Sequence, residues 1–132
     1  METKYDYKKL DIYLESKNLV KMVYTLLNKF PKEEQYALCD QLRRAVISVP
    51  SNISEGFGRY STKEQVHFLE IAYGSLREVD CQMDIAFDLG YISQMDLSEI
   101  SLQINKLAAI IAGVRKKRIT TPNPLTANPL TP

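Results

Sequence analysis

Apolar residues recur at alternating steps of three and four positions along four stretches of the chain, at about residues 10–29, 31–59, 61–90 and 93–118. This is the period of a helix that buries one face against its neighbours, and the same alternation is typical of left-handed helix bundles. The sequence therefore predicts four amphipathic helices. Their predicted buried faces are Ile12, Ser16, Leu19, Val23, Leu26 and Phe30; Leu38, Leu42, Ala45, Val49 and Ile53; Leu69, Ala72, Leu76, Val79, Met83, Ala86 and Gly90; and Leu97, Ile100, Ile104, Leu107, Ile111 and Val114.

Short breaks separate the four predicted helices. Pro31 disfavours helical geometry at the residue before it and suits the first turn of the next helix. Ser61 and Glu64 have the spacing of a capping box. Gly90 is a helix stop, and Ser93 is an N-cap for the fourth helix. Because short connections force consecutive helices to turn back on one another, the sequence predicts an all-α, antiparallel up-down-up-down four-helix bundle.

The last residues of the chain differ in composition from the rest. Residues 119–132 carry four of the six prolines and a tandem repeat, Asn123–Thr126 and Asn128–Thr131. A proline-rich segment beyond a finished helix is typical of an extended, solvated tail, and a docking peptide is the alternative. The bundle is therefore predicted to occupy residues 1–118, followed by a flexible tail over 119–132.

The overall composition, with 45% hydrophobic and 25% charged residues in 132, is that of an ordinary globular domain with one core. Cys39 and Cys81 lack metal-ligand spacing, and the N-terminus lacks the apolar core of a signal peptide. The longest apolar run, residues 107–114, is far shorter than the ~20 residues of a membrane span. The sequence therefore predicts a reduced, cytoplasmic protein without a membrane segment.

Pro50 lies inside the second predicted helix. An internal proline removes a backbone donor and crowds the carbonyl four residues earlier, at a cost of about 3 kcal/mol, so the sequence predicts a bend there. A polar stripe follows the same helix. Either the stripe supplies donors for the Val46 carbonyl, which Pro50 leaves unpaired, and stabilises the bend, or it binds a partner. The stripe consists of Arg44, Ser48, Ser51, Glu55 and Arg59, the last two at the spacing of a helical ion pair.

The net charge of +1 conceals an uneven distribution. Residues 1–32 carry +3, residues 33–60 carry −1, residues 61–92 carry −4 and residues 93–132 carry +3. The densest basic cluster, Arg115-Lys116-Lys117-Arg118, ends the fourth helix, where cations complement the helix dipole. It is either an ordinary helix terminus or, if several copies gather, a surface that attracts phosphate. A stripe of small residues on the same helix would admit a neighbouring subunit closely: Ser101, Asn105, Ala108 and Ala112.

No catalytic or metal-binding constellation is evident in the sequence. Glu64 and His67 have the Glu-x-x-His spacing of a di-iron helix, but such a bundle needs the motif twice, and His67 is the single histidine. A nucleophile would lack a partner base. Gly56-Phe-Gly58 follows a helix, whereas a phosphate-binding glycine loop precedes one. The sequence therefore predicts a non-enzymatic protein without metal or cofactor.

Four blocks of sequence resemble a known family: Phe30–Glu34, Leu42–Ala45, Val49–Gly56 followed by Gly58–Arg59, and Phe68–Glu78. The resemblance covers about residues 7–118 and is to small bacterial four-helix-bundle proteins encoded in intervening sequences of 23S ribosomal RNA genes. It implies a homopentameric ring around a central channel. A related branch includes the accessory variability protein, which assists reverse transcriptase in diversity-generating retroelements and binds nucleic acid through basic surfaces. The motif residues to which the resemblance assigns structural roles are Pro50, Ser51, Asn52, Glu55, Gly56, Gly58, Gly74 and Glu78.

The leading functional hypothesis is a non-enzymatic, oligomeric helical scaffold that interacts with RNA, DNA or a protein that handles them, such as a reverse transcriptase. The alternative is a purely structural or protein-interaction module in which the arginines serve folding and assembly. A third hypothesis is a metal- or nucleotide-dependent enzyme that uses the acidic residues of helix three. The candidate nucleic-acid-binding residues are Arg43, Arg44, Arg59, Arg115, Lys116, Lys117 and Arg118.

Overall fold

The computed structural model describes residues 6–120, and within that range it contains four long helices and no strand. The long helices are α1 (Asp11–Leu27), α2 (Leu38–Phe57), α3 (Thr62–Asp88) and α4 (Gln94–Thr120). Two short 3₁₀ turns, Tyr7–Lys9 and Lys32–Glu34, precede α1 and α2. The predicted all-α fold is thus confirmed.

Contacts between helices fix their directions. Gln41 near the start of α2 meets Gln82 near the end of α3, and Arg115 near the end of α4 reaches Glu70 in the first third of α3. Lys29, just after α1, pairs at 2.7 Å with Asp96 at the start of α4. Consecutive helices therefore run in opposite directions, and α4 returns beside α1, which gives an antiparallel all-helical bundle.

The core is built from the predicted apolar faces with a few additions. Phe30, Leu38, Leu97 and Val114 are only half-buried at its edges, and the placement of Gly90 in the α3 face was wrong because this residue is exposed beyond the end of the helix. The predicted faces omit five buried residues of the hydrophobic core, which lie beside those faces or in a loop: Leu27, Cys39, Val46, Phe57 and Ile92.

Serine side chains cap the starts of α3 and α4, and a glycine closes the end of α3, as the sequence predicts. The Ser61 hydroxyl accepts a hydrogen bond from the Glu64 amide at 3.0 Å, which is the serine half of the predicted capping box. Ser93 and Asp96 form a reciprocal box, each side chain accepting from the other's amide at 3.0 Å. Gly90 has φ +80° and closes α3 in the left-handed conformation that glycine adopts without strain.

Two helix boundaries differ from the sequence expectation. The second helix begins at Leu38, not at Pro31, because the intervening residues form a 3₁₀ turn and the Glu34 carboxylate accepts from the Leu38 amide at 3.2 Å. The fourth helix continues two residues past Arg118 to Thr120, since the first proline after it is Pro122. The remainder of the predicted tail, residues 121–132, lies outside the described residues.

Candidate functional site

The two ends of the bundle carry opposite charge. At one end, here called the basic end, α1 begins, α2 turns into α3 and α4 finishes; residues 6–11, 55–70 and 113–120 contribute eight lysines and arginines against five carboxylates. At the other, the acidic end, residues 27–44 and 80–99 contribute four basic side chains against eight acidic ones. A nearly neutral chain thus has a strongly dipolar surface.

The antiparallel fold brings most of the predicted basic residues together. Arg59 from the α2–α3 turn and the α4 cluster Arg115–Arg118 all lie at the basic end, although more than fifty positions separate them in sequence. Arg43 and Arg44 lie instead in the first turns of α2, at the acidic end. They share the Asp40 carboxylate at 3.9 Å and 3.3 Å. The seven predicted binding residues therefore do not form one surface.

Aromatic rings and carboxylates position the arginines of the basic end. Arg59 donates to the Glu55 carboxylate at 2.6 Å, which confirms the predicted pair, and its guanidinium lies 4.9 Å from the centre of the Phe68 ring. Arg118 lies 5.5 Å from the centre of the Phe57 ring.

A further ion pair joins two helices at the same end, because Arg115 donates to Glu70 at 2.9 Å. The side chains of the Arg59 and Arg115 pairs keep between 40% and 51% of their surface exposed. Solvent screens such pairs, and their net contribution to stability is typically about 0–1 kcal/mol. These arginines can therefore exchange a carboxylate for another anion at small cost.

The first turns of α3 pack closely against the end of α2 and the α2–α3 turn. A Cβ added at Gly56 would lie 3.2 Å from the Cβ of Phe68, so glycine allows α2 and α3 to approach closely here. The Gln65 side chain, only 2% exposed, donates to the Arg59 carbonyl at 2.8 Å. Among the described residues, the Gln65 Oε1 and Arg59 Nε atoms are buried and have no hydrogen-bond partner.

The predicted Pro50 motif forms a polar contact between α2 and α3. Pro50 is buried inside a helix that continues to Phe57. The Asn52 side-chain amide donates to the Ser48 carbonyl at 2.8 Å and to its hydroxyl at 2.9 Å, and that hydroxyl meets Ser75 at 2.7 Å. The Asn52 amide thus serves the Ser48 carbonyl, whereas the sequence predicts a donor for the Val46 carbonyl. Ser51 is exposed and borders a groove between α1 and α2.

The other motif residues have different surroundings. Gly58 follows the last residue of α2 and has φ −90°, so it does not need the conformational freedom of glycine. Gly74 is exposed in α3, and an added Cβ there would meet nothing within 4 Å. The Glu78 carboxylate accepts at 3.1 Å from Gln82, which also donates to Gln41 of α2 at 3.2 Å. Glu78 thus belongs to a second polar contact between α2 and α3.

Groups capable of catalysis are scattered. Residues 6–120 contain no cluster of three or more His, Cys, Asp or Glu side chains that could hold a metal ion. His67 is exposed and packs edge-on against Phe68, at 5.3 Å between ring centres. Burial raises the pKa of the Cys39 thiol, which opposes formation of a thiolate nucleophile.

A second uncharged stripe on α4 faces away from the core. Of the predicted small-residue stripe, Ser101 and Ala108 are half-buried, whereas Asn105 and Ala112 are exposed. The exposed members of α4 follow their own alternation of three and four. By length and composition α4 could cross a membrane, although the sequence predicts no membrane segment, and only 28% of its most apolar 18-residue window is buried inside the bundle. The exposed, uncharged residues of α4 at this spacing are here called the outer α4 stripe: Met95, Ser98, Leu102, Asn105, Ala109 and Ala112.

The fold and the site define a small all-helical bundle protein with a dipolar surface and an exposed, uncharged helix face. The model of the 23S rRNA-intervening sequence protein family matches residues 8–113, and the chain belongs to that family. This confirms the resemblance found in the sequence blocks.

The fold also occurs in a crystal structure of a protein of unknown function from Bacteroides thetaiotaomicron, described as a member of the S23 ribosomal protein family. The two chains share 16% sequence identity, with a TM-score of 0.74 over 80% of this chain and 98% of the other. At this identity the likeness concerns the fold alone. No curated protein matches the chain.

Proposed function

We propose that this protein is a non-enzymatic, homo-oligomeric helical scaffold that binds nucleic acid through its basic end. The observation that supports the proposal is the excess of basic over acidic side chains at that end, in a chain of net charge +1. Neutralisation of backbone phosphates by Lys and Arg releases counterions and provides affinity that does not depend on sequence.

The residues of the basic end divide by their surroundings. Lys63 and Lys116 are exposed on different helices and extend the reach of the surface beyond the arginines. Arg59 and Arg115 hold surface carboxylates that a phosphate can replace. We leave Arg43 and Arg44 out of the proposed surface because they lie at the acidic end.

The test is fluorescence-polarisation binding to structured RNA and duplex DNA over a series of salt concentrations. The double variant Lys63→Ala/Lys116→Ala should bind more weakly, and the slope of log affinity against log salt should fall by about 1 for each phosphate that the variant leaves without a cation. The matched control is Arg43→Ala/Arg44→Ala, which removes the same charge from the acidic end and should bind like the wild type. Absence of salt-dependent binding at low ionic strength, or equal weakening in both variants, contradicts the proposal.

The second candidate is a structural or protein-interaction module without nucleic-acid binding, and the intramolecular ion pairs favour it. On this hypothesis Arg59 and Arg115 serve the fold, so replacing each by alanine lowers the melting temperature. A binding role predicts weaker nucleic-acid affinity at nearly unchanged melting temperature. The two measurements on the same variants separate the candidates.

Homo-oligomerisation is the part of the proposal that rests on the outer α4 stripe. Met95 and Leu102 expose 71% and 74% of their surface, and a second copy would cover such a face. The resemblance implies a ring of five copies. Size exclusion with light scattering tests this directly, and a monomer at micromolar concentration contradicts it. Flotation with liposomes tests a membrane as the other partner for the same stripe; we expect none.

Two further proposals concern conformation and location. We expect α2 to bend by more than about 20° at Pro50, as prolines within helices commonly do. The angle between the axes of residues 38–49 and 51–57 in a crystal structure measures it. We also propose a cytoplasmic location, in keeping with the two free thiols, Cys39 and Cys81.

A further inference from the structure

One aromatic side chain at the basic end is almost entirely in solvent. Tyr60, in the α2–α3 turn, exposes 80% of its surface and lies next to Arg59. Exposed single aromatics are not unusual in themselves. This one is distinguished by its place at the basic end, in the turn between α2 and α3, where Arg59 and Lys63 are its neighbours in sequence.

The residues on both sides of Tyr60 are anchored. The carbonyl of its predecessor, Arg59, accepts a hydrogen bond from the buried Gln65 side-chain amide, and the Arg59 guanidinium lies over the Phe68 ring. Its successor, Ser61, caps α3 through the Glu64 amide. The backbone that carries the tyrosine is therefore fixed, and only the two side-chain torsions must be ordered when something packs on the ring.

We propose, on the basis of the proposed function, that Tyr60 is a stacking platform for an unpaired base, so that the basic end binds single-stranded nucleotides in preference to a duplex. A base accessible on one face stacks on an aromatic ring, and such contacts strengthen binding about 5- to 150-fold per base. In a duplex the faces of the bases are already stacked on each other and the ring cannot reach them. Nearby cations, Arg59 and Lys63, neutralise the flanking phosphates.

The chain provides a matched control at the opposite end. Tyr36 exposes 86% of its surface and lies between the 3₁₀ turn Lys32–Glu34 and α2, close to Glu33 and Glu34. It offers an aromatic face of the same size at the end of the bundle where carboxylates outnumber cations, although Arg43 donates to the neighbouring Gln35 carbonyl at 3.2 Å. Charge and not exposure distinguishes the two tyrosines.

The experiment compares Tyr60→Ala, Tyr60→Phe and Tyr36→Ala in the full-length protein, with labelled oligouridine, oligothymidine and a duplex of equal length as probes. We expect Tyr60→Ala to bind the single strands about 5-fold or more weakly, the equivalent of about 1 kcal/mol or more. Duplex affinity should change less than about 2-fold. Tyr60→Phe and Tyr36→Ala should match the wild type on every probe. Comparison of oligouridine with oligothymidine shows whether RNA or DNA is preferred.

Several results would overturn the inference. If Tyr60→Ala binds single strands as tightly as the wild type while salt-dependent binding persists, the stacking platform is wrong and the proposed function stands. If its affinity for single strands and for duplex falls equally, or if it elutes at a different size, the tyrosine acts on the electrostatics or the fold. If no probe binds to the wild type, the proposed function and this inference both fail.

Discussion

Gly56 is the position at which the packing of the α2–α3 turn is most sensitive to one added carbon atom. In Gly56→Ala the new Cβ would lie 3.2 Å from the Cβ of Phe68 and 3.4 Å from the Gln65 carbonyl. Carbon atoms pack best at about 3.5–4.0 Å. The atoms in the way belong to the α3 backbone region and not to the end of a flexible side chain, so the helices must move apart.

The expected magnitude is the sum of two opposed terms. Alanine is favoured over glycine in a helix by about 1 kcal/mol, and overpacking a close contact costs about 1–3 kcal/mol. At Gly74, also helical, an added Cβ meets nothing within 4 Å, so Gly74→Ala receives the gain without the cost. We therefore expect Gly74→Ala to be more stable than Gly56→Ala by about 1–3 kcal/mol.

Thermal and urea unfolding of both variants measures the difference, with light scattering to confirm an unchanged assembly. For a chain of this size 1 kcal/mol corresponds to roughly 3–5 °C in melting temperature. If Gly56→Ala stabilises the protein as much as Gly74→Ala does, the close approach of α2 and α3 is not limiting and the reasoning fails. Gly56→Leu extends the series and should lower stability further.

Three other substitutions test the helix ends, the acid dependence and the outer stripe. Gly90→Ala should cost about 1–2 kcal/mol in urea unfolding, because alanine is strained at φ +80°; an unchanged midpoint would contradict this. The Lys29 ammonium and the Ser93 amide hold the pKa of Asp96 below its usual 3.8, so the ionised carboxylate stabilises the fold above that pH and the stabilisation disappears as pH falls through the lowered pKa. Asp96→Asn should therefore be less stable at neutral pH and lose less stability on acidification below about pH 4, and unfolding curves with the wild-type acid slope would refute the assignment. Leu102→Glu should shift the protein to a smaller species in light scattering, and an unchanged mass would remove the outer α4 stripe from the oligomer interface.

The hydrophobic period predicted the fold because the buried face of a helix repeats every three or four residues, a spacing that can be read from residues close together in the sequence. The starts of α3 and α4 were located through Ser61 and Ser93, whose capping acts over three residues. Pro31 predicts a start of α2 seven residues before the observed one at Leu38. The contact that decides this start is a side-chain bond from the Leu38 amide to Glu34, which competes with a regular helix and leaves no mark in periodicity.

The candidate site was only partly predictable for a related reason. The cluster Arg115–Arg118 is visible as a run of letters, but its convergence with Arg59 depends on antiparallel packing over more than fifty positions. The separation of Arg43 from that group follows from the same geometry. Tyr60 carried no periodic or motif signal, and only its exposure beside cations in the folded chain indicates a role.

The structural and binding interpretations of the arginines are compatible because the two uses differ in energy. Arg59 pairs with Glu55 at 2.6 Å, yet both side chains remain about half in solvent, so exchanging the carboxylate costs at most about 1 kcal/mol. The stacking on Phe68 does not use the outer edge of the guanidinium and can persist while a phosphate binds. In the free protein the weak ion pairs would then position the arginine side chains, and a phosphate of the ligand would replace the carboxylates. Glu55→Gln should therefore strengthen nucleic-acid binding at low salt while lowering the free energy of unfolding by less than about 1 kcal/mol. Weaker binding by this variant would show that the Glu55 carboxylate orients Arg59 for the ligand instead of competing with it.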